Sequence, residues 1–171
     1  MAGKRLVLVV DDEPDTCESL QAVLEPALRC PVVTFQSAPE ALLMLELLTE
    51  DEVGLILSDY RMAPMDGLAF LNIVQKSHPS VPRVLATAFP DMDVAIQALN
   101  SARISQFLRK PLNPQVTVDL ARELTSHHAR QTRTAAAFGR ALRHTRKAGT
   151  AGRSPTPPEG RDQGAPGPPT A

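Results

Sequence analysis

The sequence predicts an α/β domain built as a doubly wound, five-stranded parallel sheet of strand order 2-1-3-4-5. Three observations carry that expectation. Short apolar runs alternate with helix-length amphipathic segments five times within about 125 residues, the rhythm of repeated βα units. The first and third runs are almost unbroken Val, Leu and Ile, as strands buried on both faces must be. Polar and charged residues gather where the runs end, on the rim where an open parallel sheet binds its ligands.

Leu6–Val10 is the first strand and stops at Asp11-Asp12-Glu13, which taken alone reads as a solvated strand end with Asp15 capping the helix that follows. Cys17, Leu20, Leu24 and Leu28 recur at helical spacing and mark that helix's buried stripe. Val32–Phe35 is the second strand and Ala38–Leu48 the second helix. The third strand, Val53–Leu57, runs into Ser58-Asp59, and Asp66-Gly67 turns the chain into a helix over Leu68–Lys76. Val84–Ala86 is the fourth strand, ending at Thr87 and followed by a helix over Asp91–Leu99. Ile104–Leu108, the fifth, leads to Lys110-Pro111 and a last helix over Asn113–Thr125, with Val116, Leu120 and Leu124 as its inner edge.

Composition then divides the chain. Of 171 residues 43% are apolar, enough for a core, and 4% aromatic with no Trp, which disfavours aromatic cages and base-stacking platforms. Residues 1–125 carry 17 acidic and 10 basic side chains, net −7, whereas 126–171 carry 2 and 8, net +6. The folded part is therefore residues 4–125, and it is not built to hold a polyanion. Residues 126–153 are a basic segment suited to extending the last helix, with Ala135, Phe138 and Leu142 as a short apolar stripe. Residues 154–171, with six Pro and three Gly, bury too little to offset their ordering entropy and are expected to be disordered.

Cys17 and Cys30 are too few for a disulfide framework or a zinc site and read as buried hydrophobes. His78, His127, His128 and His144 read as solvated, with weak metal binding by His127-His128 as the alternative. The five-residue run Leu6–Val10 is too short for a signal peptide, and no stretch nears the ~20 apolar residues of a membrane span. The expectation is a cytoplasmic chain with no membrane contact. The basic tail reads first as a solvated helix extension. Its functional uses are a salt-sensitive nucleic-acid contact or a partner-binding amphipathic helix, and no sequence-specific DNA- or RNA-binding signature accompanies it.

The strand ends hold the chemistry. In the order 2-1-3-4-5 the third strand lies between the first and the fourth, each about 4.8 Å away, so short side chains such as Asp11, Asp12 and Thr87 suffice there. The fifth strand is roughly 10 Å off and needs a long side chain, which Lys110 supplies. Asp11, Asp12 and Asp59 brought together repel: two unit charges 4 Å apart cost about 4 kcal/mol at an effective dielectric of 20. A divalent cation with the Lys110 ammonium balances three carboxylates, and an oxygen-only ligand set favours Mg²⁺. Asp59, flanked by the rest, is placed to act as nucleophile on phosphorus and become an aspartyl phosphate, with Lys110 and Thr87 on the phosphoryl oxygens. The added charge of about −1.5 to −2 is enough to pull Thr87 inward and bias a two-state loop.

These residues resemble the receiver domain of bacterial two-component response regulators over residues 4–125, through LVLVVDDEP, SDYRMAPMDG, LATAF and FLRKP in order and at the family's spacing. The resemblance implies a flavodoxin-like fold with Asp59 as the phosphoacceptor. It makes Asp11 and Asp12 metal acids with Asp59, and the main-chain carbonyl of Arg61 a further Mg²⁺ ligand. Thr87 and Lys110 become the switch and phosphate-sensing residues, with Lys110-Pro111 a cis bond, and Phe107 falls at the aromatic switch position, where it also serves as ordinary core filling. The implied role is a phosphorelay response regulator, not a turnover enzyme. It takes its phosphoryl group from a histidine kinase or histidine phosphotransfer protein and signals by protein–protein contact, with no folded output domain. The stretch from Thr87 to Pro111 is similar to receivers linked to HD-GYP phosphodiesterase domains and to NtrC-like regulators of hydrogenase genes. Ala63-Pro64 departs from the family's usual Pro four residues after the acceptor, and Ser101-Ala102 from its common Gly-Ala. Phe89, two residues past Thr87, predicts a long-lived phosphoryl group by hindering the attacking water. Two rivals use the same residues differently. An Mg²⁺ phosphohydrolase of the haloacid-dehalogenase kind would need an Asp-x-Asp pair where Asp11-Asp12 are adjacent; the other rival is a module whose tail, and not its phosphate site, does the binding.

Overall fold

The computed structural model of the chain describes residues 5–88 and 101–149, with side chains to residue 140. Its elements are β1 (Leu6–Val10), α1 (Pro14–Leu28), β2 (Val32–Phe35), α2 (Ala38–Leu45), β3 (Val53–Asp59), α3 (Gly67–Ser77), β4 (Arg83–Thr87), β5 (Gln106–Arg109) and α4 (Pro114–Gly149). The expected helix Asp91–Leu99, Phe89 and the tail 154–171 lie outside the described residues. All strand pairs are parallel and the order is β2-β1-β3-β4-β5, as the sequence predicts.

The unbroken apolar runs are explained by two cores. Val7, Val9, Leu55, Leu57, Val84, Ala86 and Leu108 point to the face covered by Leu20 and Leu24 of α1 and Val118 and Ala121 of α4. Leu8, Val10, Ile56 and Leu85 point to the other face, against Ala41 and Leu45 of α2 and Leu68, Phe70, Leu71 and Val74 of α3. Successive side chains of one strand thus enter opposite cores, so no position in β1 past Leu6 or in β3 is free to be polar without a partner. Asp66 opens α3 as its cap, its Oδ1 accepting from Ala69 N at 2.7 Å. The expected Asp15 cap is not made: α1 opens at Pro14 after Glu13, and Asp15 lies in the first turn, where its charge suits the helix dipole.

Helix α4 corrects the expected inner edge. Val116 is 55% exposed, and the buried positions are Thr117, Val118 and Ala121, with Leu120 and Leu124 half-buried. The compact body runs to Ala135, and residues 136–149, still helical, fall in a second unit. Cys17 is buried as expected, but Cys30 is only half-buried.

Two histidines are also corrected; His127 is exposed as expected, and the side chain of His144 lies outside the described ones. His78 is buried, its Nε2 3.0 Å from Leu48 O and its Nδ1 2.9 Å from Ser77 Oγ. His128 is 1% exposed, packed beside Arg5, with the main chain of Glu50 and Val53 facing its ring. Burial, and then the nearby Arg5 guanidinium, lower its pKa from the ordinary 6.5, with Glu50 opposing. Because the folded value lies below the unfolded one, the unfolded chain takes up the proton first as pH falls. Stability from this site is full above pH 6.5 and declines as pH drops through 6.5 toward the folded value. Urea unfolding at mildly acidic and mildly alkaline pH should show this loss in the wild type, and His128→Leu should flatten it; an unchanged slope in the variant would refute the assignment.

Candidate functional site

Register brings the strand ends together. Val10 pairs with Ser58, so Asp11 follows β1 beside Asp59, and Asp59 pairs with Ala86, one residue before Thr87. Thr87 pairs with Arg109, and Lys110 N donates to Thr87 O at 2.9 Å, fixing where the lysine leaves β5. Asp11, Asp59 and Thr87 are buried, Asp12 is exposed, and Lys110 is half-buried.

The long side chain spans the distance that strand spacing demands. Lys110 Nζ stands 2.8 Å from Asp11 Oδ2 and 2.8 Å from Asp59 Oδ1, and 3.9 Å from Glu13 Oε2. The remaining carboxylate oxygens are held by main chain: Asp11 Oδ1 accepts from Glu13 N at 3.1 Å, Asp59 Oδ2 from Arg61 N at 3.0 Å. Burial raises the Asp11 pKa, with the Lys110 hydrogen bond pulling the other way. Burial alone would lower that of Lys110, but its hydrogen bonds to Asp11 and Asp59 outweigh it and the ammonium is held protonated.

One oxygen each from Asp11, Asp12 and Asp59 lies within 4.8 Å of the others. Opposite ligands of an octahedral Mg²⁺ are about 4.2 Å apart, so the set encloses such an ion with small side-chain shifts. The Cys17 thiol donates to Asp11 O at 3.2 Å, and burial raises its pKa, which keeps it protonated. The three carboxylates and Lys110 leave two negative charges, the count a divalent cation cancels.

Other expected residues fall around this centre. Phe107 is half-buried against the core of the α2–α3 face, in register with Leu85. Arg61 is exposed and meets Asp59 through its own N–H. The Lys110-Pro111 bond is cis, as is Ala63-Pro64. Sequence reasoning missed two features. Glu13 joins the lysine cluster, a role its place in the acidic run could have signalled. Gly67 packs under the acceptor: a Cβ there would lie 1.9 Å from Asp59 O and 2.9 Å from Ser58 Oγ. A groove of about 520 Å³ opens beside Lys110, walled by Thr16, Leu20 and Val23 of α1 and by Leu112, Pro114 and Thr117. Among the described residues no helix is long and apolar enough to cross a membrane.

The response regulator receiver domain model matches residues 7–122. The chain is 34% identical over 126 residues to the DNA-binding transcriptional regulator NtrC of Escherichia coli (strain K12), covering 74% of this chain and 26% of that protein. It is 35% identical over 117 residues to the hydrogenase transcriptional regulatory protein HoxA of Cupriavidus necator, covering 68% and 23%. The chain thus spans about a quarter of these relatives. The signal receiver domain of an HD domain-containing protein from Pseudomonas fluorescens Pf-5 superposes with a TM-score of 0.70 at 26% identity, covering 78% of this chain and 95% of that one. Fold, strand-end acids and family match coincide on the same residues, and this chain belongs to the response regulator receiver domain family, a signalling domain of two-component systems.

Proposed function

We propose that this chain is a response regulator of a two-component phosphorelay in which Asp59 is the phosphoacceptor. The reading is carried by Lys110 Nζ, which bridges Asp11 and Asp59 at 2.8 Å each and so holds one ammonium on the carboxylate to be esterified and on the acid beside it. A histidine kinase or histidine phosphotransfer protein supplies the phosphoryl group, approaching along the groove between α1 and the Leu112–Thr117 segment. A carboxylate oxygen of Asp59 attacks phosphorus as the P–N bond to the donor imidazole breaks, its electrons going to the ring nitrogen. Arg61 N–H keeps the Asp59 carboxylate aimed, Lys110 neutralises the phosphoryl oxygens, and the Thr87 hydroxyl donates to one of them. Phe107 follows Thr87 inward as the switch aromatic. Asp11, Asp12, Asp59 and the carbonyl of Arg61 would hold Mg²⁺, which when bound neutralises charge on the transferring group.

Residues 4–125 form the receiver, 126–153 its basic extension and 154–171 a tail, and no output domain is proposed within 126–171. The chain acts in the cytoplasm, catalyses only its own phosphorylation and dephosphorylation, and signals by contact with a protein target. Intact mass after incubation with acetyl phosphate and Mg²⁺ tests the reading. The wild type should gain one phosphate and Asp59→Asn none; equal gain by both, or none by the wild type, overturns it.

A further inference from the structure

We propose that the helical segment 126–149 is a polyanion-binding element, a row of cationic side chains that takes the phosphate backbone of a nucleic-acid duplex without reading its sequence. Charge is the first observation. From Ser126 to Gly149 the chain has no acid and six bases, five of them Arg. The segment is also helical to Gly149. Arg130 and Arg133, three residues apart within the compact body, share one face of the helix. Arg130, Arg133 and Arg140 are exposed, and among the described residues none pairs with a carboxylate.

Arginine is the informative choice. Its planar guanidinium forks onto phosphate oxygens, where lysine offers only a point charge. A membrane surface fits less well, because an interfacial helix needs a broad apolar face. Here that face is Ala135, Phe138 and Leu142, of which the described Phe138 is 67% exposed. The receiver part cannot contribute, since residues 1–125 are net −7 and repel a polyanion. Any affinity therefore has to come from this segment, although the whole chain is net −1.

The test uses the full chain and a short fluorescent duplex DNA of arbitrary sequence, followed by anisotropy between about 50 and 200 mM salt. The logarithm of the binding constant should fall linearly with log salt, with a slope of about −4.5 to −5.4 for about five to six phosphate contacts. A second, unrelated duplex should bind equally. Arg130→Gln/Arg133→Gln/Arg140→Gln, all surface positions, should lower affinity more than about tenfold and flatten the slope by about 3 while leaving phosphate uptake from acetyl phosphate unchanged. No binding at the lowest salt, a triple variant that binds like the wild type, or binding to phosphatidylserine vesicles but not to the duplex would each overturn the proposal.

Discussion

Gly67→Ala is expected to remove about 2–3 kcal/mol of stability and to slow phosphorylation of Asp59 about 100-fold, although residue 67 carries no functional group. The new Cβ would sit 1.9 Å from the Asp59 carbonyl oxygen, main chain that cannot rotate aside. That oxygen also accepts from Ser58 Oγ at 2.9 Å, and Gly67 N itself donates to Tyr60 O at 2.9 Å, so the start of α3 is tied to the end of β3. Relief comes in one of two ways. Helix α3 retreats from β3, drawing Leu68, Phe70, Leu71 and Val74 from the core, or the end of β3 yields and carries the Asp59 carboxylate off its 2.8 Å contact with Lys110. The first lowers stability; the second misplaces the nucleophile. Gly54→Ala is the matched control: its Cβ would meet Arg5 Cβ at 3.1 Å, a side-chain contact at the other end of the same strand, so phosphate uptake should be unaffected. Urea titration and phosphoprotein mass on both variants check the pair, and a Gly67→Ala protein that unfolds and labels like the wild type would sink the packing argument.

How much of this was readable beforehand depends on whether a residue's role is fixed by its own strand or by a distant neighbour. The bounds of β1 and β2, the sheet order and the Lys110 reach follow from apolar runs and fixed strand spacing, and the structure matches them. Strands β3, β4 and β5 keep their places but shift bounds by up to two residues, because pairing with a neighbour carries the ladder past the apolar run or trims it. The inner face of α4 could not be read that way. Of the expected stripe Val116, Leu120 and Leu124, the two leucines pack against the core but only partly buried, while Val116 faces out and Thr117, Val118 and Ala121 take the buried positions. His78 and His128 illustrate the same point: a histidine is buried by what lies over it, and nothing local announces that Leu48 or Arg5 will be there. The length of α4 was legible only in part, since an Ala-rich, acid-free stretch favours helix without marking its end.

Arg83→Met is expected to lose about 3 kcal/mol or more, the largest stability effect of a single side chain away from the acceptor. Arg83 opens β4 at 3% exposure, and among the described residues no carboxylate lies in salt-bridge range of it. Its guanidinium instead donates to main-chain oxygens: Nε to Ala102 at 2.9 Å, one terminal nitrogen to Val81 at 2.6 Å and His78 at 3.0 Å, the other to Arg103 at 3.2 Å and to the side chain of Gln75. Burial lowers its pKa to about 10, with Glu50 opposing, so it is still charged at neutral pH. Methionine removes that burial cost, worth about 3 kcal/mol by the same shift, and two effects then compete. Each charge-assisted hydrogen bond contributes about 1.5–3 kcal/mol and each orphaned buried carbonyl costs about 1–3 kcal/mol, so four or five lost bonds outweigh the gain. The effect should be local before it is global. Arg83 holds residues 102 and 103, and its own carbonyl accepts from Ser105 N at 2.6 Å, so the chain entering β5 is fastened here before it delivers Lys110. Hydrogen exchange at Ser105 should therefore accelerate more in Arg83→Met than exchange in β1, and urea unfolding should shift to lower midpoints. Arg83→Lys, with three donors on one atom, should recover only part of the loss. A methionine variant as stable as the wild type, with Ser105 still protected, would mean that water or neighbouring amides satisfy those carbonyls and that the guanidinium is not what joins β4 to the start of β5.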